Sequence, residues 1–200
     1  MRAWCATKDT DKNMHIIKDQ LDRVNKEVKL FRDIVRVLLT HLQTFDLDLS
    51  RKNFDFNKNL TFVDKMMVVR TLEFSKDLSE AYDKFDLKKV YELTRDFAAL
   101  DVADFYLDFT KYRRRRLVES HIQAVAKTTD DNQTDSDSSL FVMHQFLNTL
   151  MLSCAPILVF TAQEAFDHMP LNLFTGKLKP PTVFQMPNWH LQTLTDLVDA

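Results

Sequence analysis

Glycine is the scarcest residue type in this chain, with Gly176 the only one in 200 residues. Tight hairpin turns and phosphate-binding loops need backbone conformations with positive φ, which glycine adopts most easily. One glycine supplies no material for a glycine-rich phosphate loop or a dinucleotide-binding fingerprint. The composition disfavours turn-rich β architecture, and we predict an all-α protein.

The apolar content bounds the size of the fold. Hydrophobic residues make up 45% of the sequence, enough for one sizeable core, so we predict one helical domain. No apolar run reaches the length of a membrane span, and the start of the chain lacks the apolar core of a secretory signal. We expect a soluble, intracellular protein with no membrane partner.

Apolar residues at helical spacing predict three long helices. The first covers about Asp19 to Leu42, and the second covers about Leu60 to Tyr82. A third begins near Leu140, and Pro156 must break or bend it. Residues 161–164 have the form of a capping box, which predicts a short helix that begins there.

The stretch from Ala81 to Arg116 carries two short aromatic-rich helical patterns. Asp86 is placed as an N-cap for the first of them. The positions at helical spacing, which we predict to form the buried face, are Leu87, Val90, Tyr91, Thr94, Phe97, Ala98, Val102, Phe105, Tyr106 and Phe109.

Two segments are predicted to lie outside the helical pattern. Residues 128–139, TTDDNQTDSDSS, contain no apolar side chain, so we predict a mobile acidic loop. Residues 170–200 include Pro180 and Pro181 and are predicted to form an extended tail that Phe184 and Trp189 pack on the bundle.

No set of residues predicts catalysis or metal binding. Cys5 and Cys154 lie in apolar patterns far apart in sequence, and we interpret both as reduced thiols of the core. Asp101, Asp104 and Asp108 share a helical face, where solvation or pairing with nearby cations is favoured over a cation site. We predict no catalytic residue and no metal ligand.

Charge restricts any nucleic-acid contact to a local surface. The formal net charge is −2, whereas proteins that coat nucleic acid indiscriminately carry a large basic excess. Lys111 and the run Arg113–Arg116 form a local cluster that suits the phosphates of a folded RNA. From the residues alone, a solvated basic helix end, which the helix dipole stabilises, is favoured over an RNA contact.

Six stretches of the chain resemble one family of proteins, in the same order. They are MRAWCATKD, FRDIVRVLLTHLQTFD, AYDKFDLKKVYE, ADFYLDFTKYR, APILVFTAQEAFDHMP and VFQMPNW. Together they resemble the anticodon-binding helical domain of the isoleucyl-tRNA synthetases, which are class I aminoacyl-tRNA synthetases. The resemblance is to the bacterial and organellar branch and spans nearly the whole chain.

The resemblance implies a domain division and a tRNA-binding surface. It implies a connector at 1–18, a helical bundle at 19–169 and a C-terminal tail at 170–200, with a tRNA that accepts isoleucine as the partner. The candidate RNA-binding residues are Arg32, Arg36, Lys111, Arg113 and Arg114, of which all but Arg114 match family positions. Trp4 also matches, and we interpret it as packing at the junction with a preceding domain rather than as stacking on a base.

The resemblance also bears on activity. The family's catalytic signatures HIGH and KMSKS do not occur here, so we expect this chain to begin where the catalytic part ends and to activate no amino acid alone. No cofactor is expected in this chain, whereas ATP and Mg are implied for the full-length enzyme.

Further expectations concern the cellular setting. We expect a monomer that binds no DNA and lies in the mitochondrial matrix, with the cytoplasm as the alternative. A freestanding helical scaffold that has kept the bundle and lost the tRNA is the alternative function.

Overall fold

The structure, a computed structural model, describes residues 1–8, 15–44, 60–115, 130–170 and 179–186. In these ranges every regular element is helical, which confirms the predicted all-α bundle. The elements are α1 (Arg2–Ala6), α2 (Lys18–Thr44), α3 (Phe62–Asp83), α4 (Leu87–Asp96), a π-helical segment that continues α4 (Phe97–Leu107), α5 (Asp130–Cys154), α6 (Val159–Asp167) and a 3₁₀ turn (Val183–Gln185).

The first two long helices match the prediction. α2 and α3 begin and end within two residues of the predicted bounds. α3 starts with a capping box, in which the Thr61 hydroxyl accepts from the Asp64 amide while the Asp64 carboxylate accepts from the Thr61 amide. The capping box fixes the start of α3 and holds the Asp64 side chain at the edge of the core.

The turn between α3 and α4 uses a phenylalanine where glycine is usual. Phe85 has φ 57°, and two bonds, from the Phe85 amide to the Tyr82 carbonyl and from the Asp86 amide to the Ala81 carbonyl, form a Schellman motif. The left-handed conformation costs about 1 to 2 kcal/mol for a residue with a Cβ. Asp86 then caps α4 by accepting from the Lys89 amide at 3.0 Å, which confirms its predicted role.

Replacing Phe85 with glycine is expected to stabilise the protein. The Phe85 ring is exposed, so little packing is lost, while the strain of the left-handed backbone disappears. After the entropy that glycine adds to the unfolded chain, we expect a gain of about 0.5 to 1 kcal/mol, measured by urea denaturation. Phe160→Gly in α6, where the backbone is helical, is the control and should lower the stability of the protein. A loss of stability in Phe85→Gly would contradict the left-handed backbone conformation assigned to Phe85.

The π-helical segment changes which side chains reach the core. Its i→i+5 hydrogen bonds widen the helical period, so that inward positions recur every four or five residues. Val102 and Tyr106 are buried as predicted, but the prediction that Phe105 and Phe109 are buried is wrong. That prediction assumed a 3.6-residue period, and both of these rings are about half exposed.

α5 occupies the centre of the bundle, with α2, α3 and α4 packed around it. Every residue from Ser138 to Met151 is buried. Phe146 of α5 meets the ring of Phe97 edge-on at 5.9 Å and that of Tyr106 at 5.0 Å. A helix surrounded on all sides is the element that the other helices share as a core.

The predicted mobile acidic loop at 128–139 is wrong for residues 130–139. These residues form the first turns of α5, while residues 128 and 129 lie outside the described part of the chain. Ser138 and Ser139 are buried, and the Ser138 hydroxyl donates to the Asp64 carboxylate at 2.9 Å. The prediction failed because it counted apolar residues only, whereas short hydroxyl side chains are buried readily when they have hydrogen-bond partners.

The start of α6 also differs from the prediction. The helix begins at Val159 with Leu158 in the N-cap position, and no side chain caps it. The capping box predicted at Thr161 and Glu164 is therefore wrong. Glu164 instead reaches α2 and forms an ion pair with Arg32.

Two further packing predictions need correction. In the C-terminal tail, Val183 and Met186 are buried while Phe184 is exposed, so Phe184 does not anchor the tail; Trp189 lies outside the described residues. Cys154 is buried as predicted, but Cys5 is exposed, because only the opposite face of the short α1 packs on the bundle.

Candidate functional site

The basic segment, residues 111–115, follows the π-helical segment after a turn at Thr110. The buried Thr110 hydroxyl donates to the Tyr106 carbonyl at 2.7 Å, which ties the turn to the core. The backbone of the basic segment is helical, so its cations point in different directions. Arg116, the last arginine of the run, lies outside the described residues.

Arg113 points inward. Its guanidinium lies 3.1 Å from the Asp64 carboxylate and also donates to the Ser139 and Thr61 hydroxyls, each at 3.3 Å. The Asp64 side chain is completely buried, and that of Arg113 is 17% exposed. The guanidinium is thus bonded within the protein and is a structural cation.

Asp64 is the centre of a buried network. Besides Arg113, its carboxylate accepts hydrogen bonds from the hydroxyls of Tyr106 at 2.7 Å, Ser138 at 2.9 Å and Thr61 at 2.6 Å. Burial, together with the adjacent Asp64 charge, raises the pKa of Tyr106 well above its usual value, so the phenol remains a donor. This Asp64 network joins α3, the π-helical segment, the basic segment and α5.

Arg114 lies half-buried beside the C-terminal half of α2. Its guanidinium donates to the Leu107 carbonyl and approaches Nε2 of His41 at 2.9 Å. Burial and the Arg114 charge lower the pKa of His41 to about 4, so this ring is neutral at pH 7. Burial also lowers the pKa of Arg114. Arg114 is therefore partly committed to fixing the end of the π-helical segment against α2.

Arg32 and Arg36 lie on another flank of α2. Arg32 forms a two-oxygen contact with Glu164 of α6, at 2.9 and 3.2 Å. Arg36 is more exposed, and within the described part of the chain its ion pair is an i,i+3 contact with Asp33, at 3.3 Å. Both arginines line a polar groove between α2 and α6 that also contains Gln43.

The five predicted cations do not form one surface. The helical positions of Arg32 and Arg36 face α6, whereas His41, which contacts Arg114, lies on the far flank of α2. Lys111 is exposed at the start of the basic segment. Of the five, Arg36 and Lys111 are the most accessible to an external phosphate.

Trp4 is buried within this chain, and its predicted packing at the junction with a preceding domain stays a prediction. Its side chain is 4% exposed, and α1 packs against α2 and α4. The indole Nε1 has no hydrogen-bond partner within the described ranges, and the ammonium of Lys8 lies 5.4 Å from the ring centre. A ring covered in this way is not available to stack on a base.

The sequence prediction missed Asp64. The spacing of Thr61 and Asp64, three residues apart before an apolar run, is a recognisable helix-start signal. That signal predicts the capping box but not the partners that come from distant parts of the chain.

Metal-binding clusters and membrane-spanning helices are both absent from the described residues. No group of three or more His, Cys, Asp or Glu side chains there is arranged to hold a metal ion. None of the helices described is both long enough and apolar enough to cross a membrane.

The fold and the basic segment define an all-α bundle with local cationic surfaces. Comparison with known families gives a match to the anticodon-binding domain of tRNA ligase over residues 64–197, more than half of the chain. The chain belongs to this family of anticodon-binding domains of tRNA ligases. The match includes Asp64 with its partners Tyr106, Arg113 and Ser138, and the basic segment.

Individual relatives of the chain include several isoleucine–tRNA ligases. The chain is 28% identical to the isoleucine–tRNA ligase of Caldicellulosiruptor bescii over 169 residues, and 29% identical to that of Exiguobacterium sibiricum over 170 residues. The isoleucine–tRNA ligase of Thermotoga neapolitana is 29% identical over 169 residues. These alignments cover 84% to 85% of this chain and 17% of each relative, so the chain spans about a sixth of the length of these curated relatives.

Proposed function

We propose that this chain binds the anticodon stem and loop of a tRNA that accepts isoleucine, as the RNA-binding part of an isoleucine–tRNA ligase. The observation that carries the proposal is the family match over residues 64–197. The similarity to isoleucine–tRNA ligases over most of the chain supports the choice of tRNA. The chain would hold the RNA, while ATP-dependent attachment of isoleucine would take place in a catalytic domain.

The contacts of the basic residues distinguish those that we assign to RNA binding from those that are engaged within the protein. We assign phosphate contacts to Lys111, which is exposed, and to Arg36, whose side chain is 72% exposed. Arg32 is engaged by Glu164, and Arg114 by the Leu107 carbonyl. Arg113 supports the surface from inside through Asp64. Charge reversal at Arg113 would therefore change stability together with binding, and it is a poor probe of the RNA contact.

Replacing Lys111 with alanine is expected to weaken RNA binding and reduce its salt dependence. Loss of one phosphate contact should lower the slope of log K against log salt by about 1. The measurement is fluorescence anisotropy with the 200-residue chain and a synthetic isoleucine anticodon stem–loop over a salt series. The matched control is Lys76→Ala, which removes another exposed lysine, from α3, and should leave the slope unchanged.

Two results would contradict the proposal at different levels. An unchanged slope for Lys111→Ala would remove this lysine from the interface. Equal, weak and salt-labile attraction of the unaltered chain to isoleucine and unrelated stem–loops would instead indicate a helical scaffold without a tRNA partner.

A further inference from the structure

Three aromatic side chains form an exposed stripe on the helical backbone that leads into the basic segment. This aromatic stripe consists of Phe105, Phe109 and Tyr112, at positions i, i+4 and i+7. The rings of Phe105 and Phe109 are nearly parallel, with centres 6.2 Å apart and 13° between their planes. The Arg113 guanidinium, which is bound to Asp64, lies 5.6 Å from the centre of the Phe109 ring.

The aromatic stripe is exposed although it adjoins completely buried residues. Phe105 is 42% exposed, Phe109 48% and Tyr112 76%, while Tyr106 between them is completely buried. Large apolar side chains grouped on a surface commonly mark a site of interaction. The π-helical period turns these rings outward, so they contribute little to the core and are available to a ligand.

The charges around the aromatic stripe suit a polyanion at one end. Lys111 and Arg115 are exposed at its C-terminal end, and the Arg113 guanidinium lies against the Phe109 ring. Asp104 and Asp108 are exposed near Phe105 and Phe109. Positive charges therefore outnumber negative charges only at the C-terminal end of the aromatic stripe, near Arg115. The preceding Asp101 is bound by Arg70 at 3.2 Å and adds little repulsion. A phosphate backbone would therefore lie toward the basic segment, with its bases toward Phe105.

We propose that the aromatic stripe is a stacking platform for unpaired bases of the RNA, with Phe105 and Phe109 as the principal contacts. The inference rests on the proposed function and specifies how the RNA is held. Unpaired loop bases are recognised by stacking on aromatic rings, and the exposed rings of Phe105 and Phe109 offer two such faces. Stacking tolerates any base, so the platform contributes affinity rather than sequence choice.

The test replaces each ring with an aliphatic side chain. Phe105→Leu and Phe109→Leu retain apolar volume but remove the aromatic face. Loss of one stacked base should raise the Kd for the isoleucine anticodon stem–loop about 5- to 150-fold. Phe160→Leu in α6, a more exposed phenylalanine outside the aromatic stripe, is the matched control and should bind normally. Thermal unfolding of all three variants should stay close to that of the unaltered chain.

A second readout reports stacking directly. A fluorescent purine analogue in the loop should be quenched by the unaltered chain and less quenched by the two leucine variants at saturation. If the unaltered chain binds and both variants show normal affinity and quenching, the stacking role of the aromatic stripe is overturned while the proposed function stands. No binding by the unaltered chain would overturn the stripe together with the proposed function. Unchanged RNA affinity with an altered sedimentation coefficient would show a protein interface and also overturn the inference.

Discussion

Replacing Asp64 with alanine is expected to lower the free energy of unfolding by about 3 to 5 kcal/mol, because it leaves the Arg113 charge largely buried without its partner. The hydroxyls of Tyr106 and Ser138 also lose the carboxylate that accepts their hydrogen bonds. Urea denaturation of the 200-residue chain, followed by far-ultraviolet circular dichroism, measures the change.

Asp101→Ala is the control for this loss. The Arg70–Asp101 pair also joins two helical elements, but its side chains are 45% and 25% exposed. A pair with this exposure to solvent should contribute no more than about 1 kcal/mol. Similar losses in Asp64→Ala and Asp101→Ala would show that the Asp64 network does not hold the elements together.

Replacing Phe146 with alanine is expected to destabilise the protein by about 3 to 5 kcal/mol, since it opens a cavity at the centre of the bundle. The Phe146 ring is completely buried and contacts the rings of Phe97 and Tyr106 edge-on. Such aromatic pairs add about 0.5 to 1.5 kcal/mol beyond the burial of apolar area. The same denaturation experiment measures the loss.

Phe105→Ala is the matched control for Phe146→Ala, because it removes the same side chain from a half-exposed position. We expect it to cost less than half as much. A larger loss from Phe105→Ala than from Phe146→Ala would contradict the burial pattern of the π-helical segment. A 3.6-residue helical period would bury Phe105, whereas the wider period of the structure leaves it half exposed. The losses measured for the two variants therefore distinguish between the two periods.

The helices were largely predictable from the sequence, because their apolar positions repeat over many turns. α2 and α3 show this, and Asp86 marks the start of α4 by its type and position. The family resemblance agrees with the family match over residues 64–197, while the RNA-binding role of the basic segment stays a prediction. Neither the periodicity nor the resemblance indicated which cations face solvent, since that depends on the packing of whole helices.

The Asp64 network was beyond prediction for a physical reason. Arg113 and Ser138 lie 49 and 74 residues from Asp64 along the chain, and only the tertiary fold brings them together. The π-helical segment is a second such case, since no residue type there signals the change in period. That change turned Phe105 and Phe109 outward and made the aromatic stripe possible.

The central position of α5 has a consequence for synthesis of the protein. The faces of α2 and α3 that pack on α5 have left the ribosome well before α5 is complete, because translation proceeds from the N-terminus. After the π-helical segment, the ribosome must add another 47 residues, 108–154, before the last turn of α5 exists. At about 5 to 20 residues per second, this takes roughly 2 to 9 seconds. During that interval the apolar faces of α2 and α3 lack their common partner and stay open to contacts that the folded protein does not make.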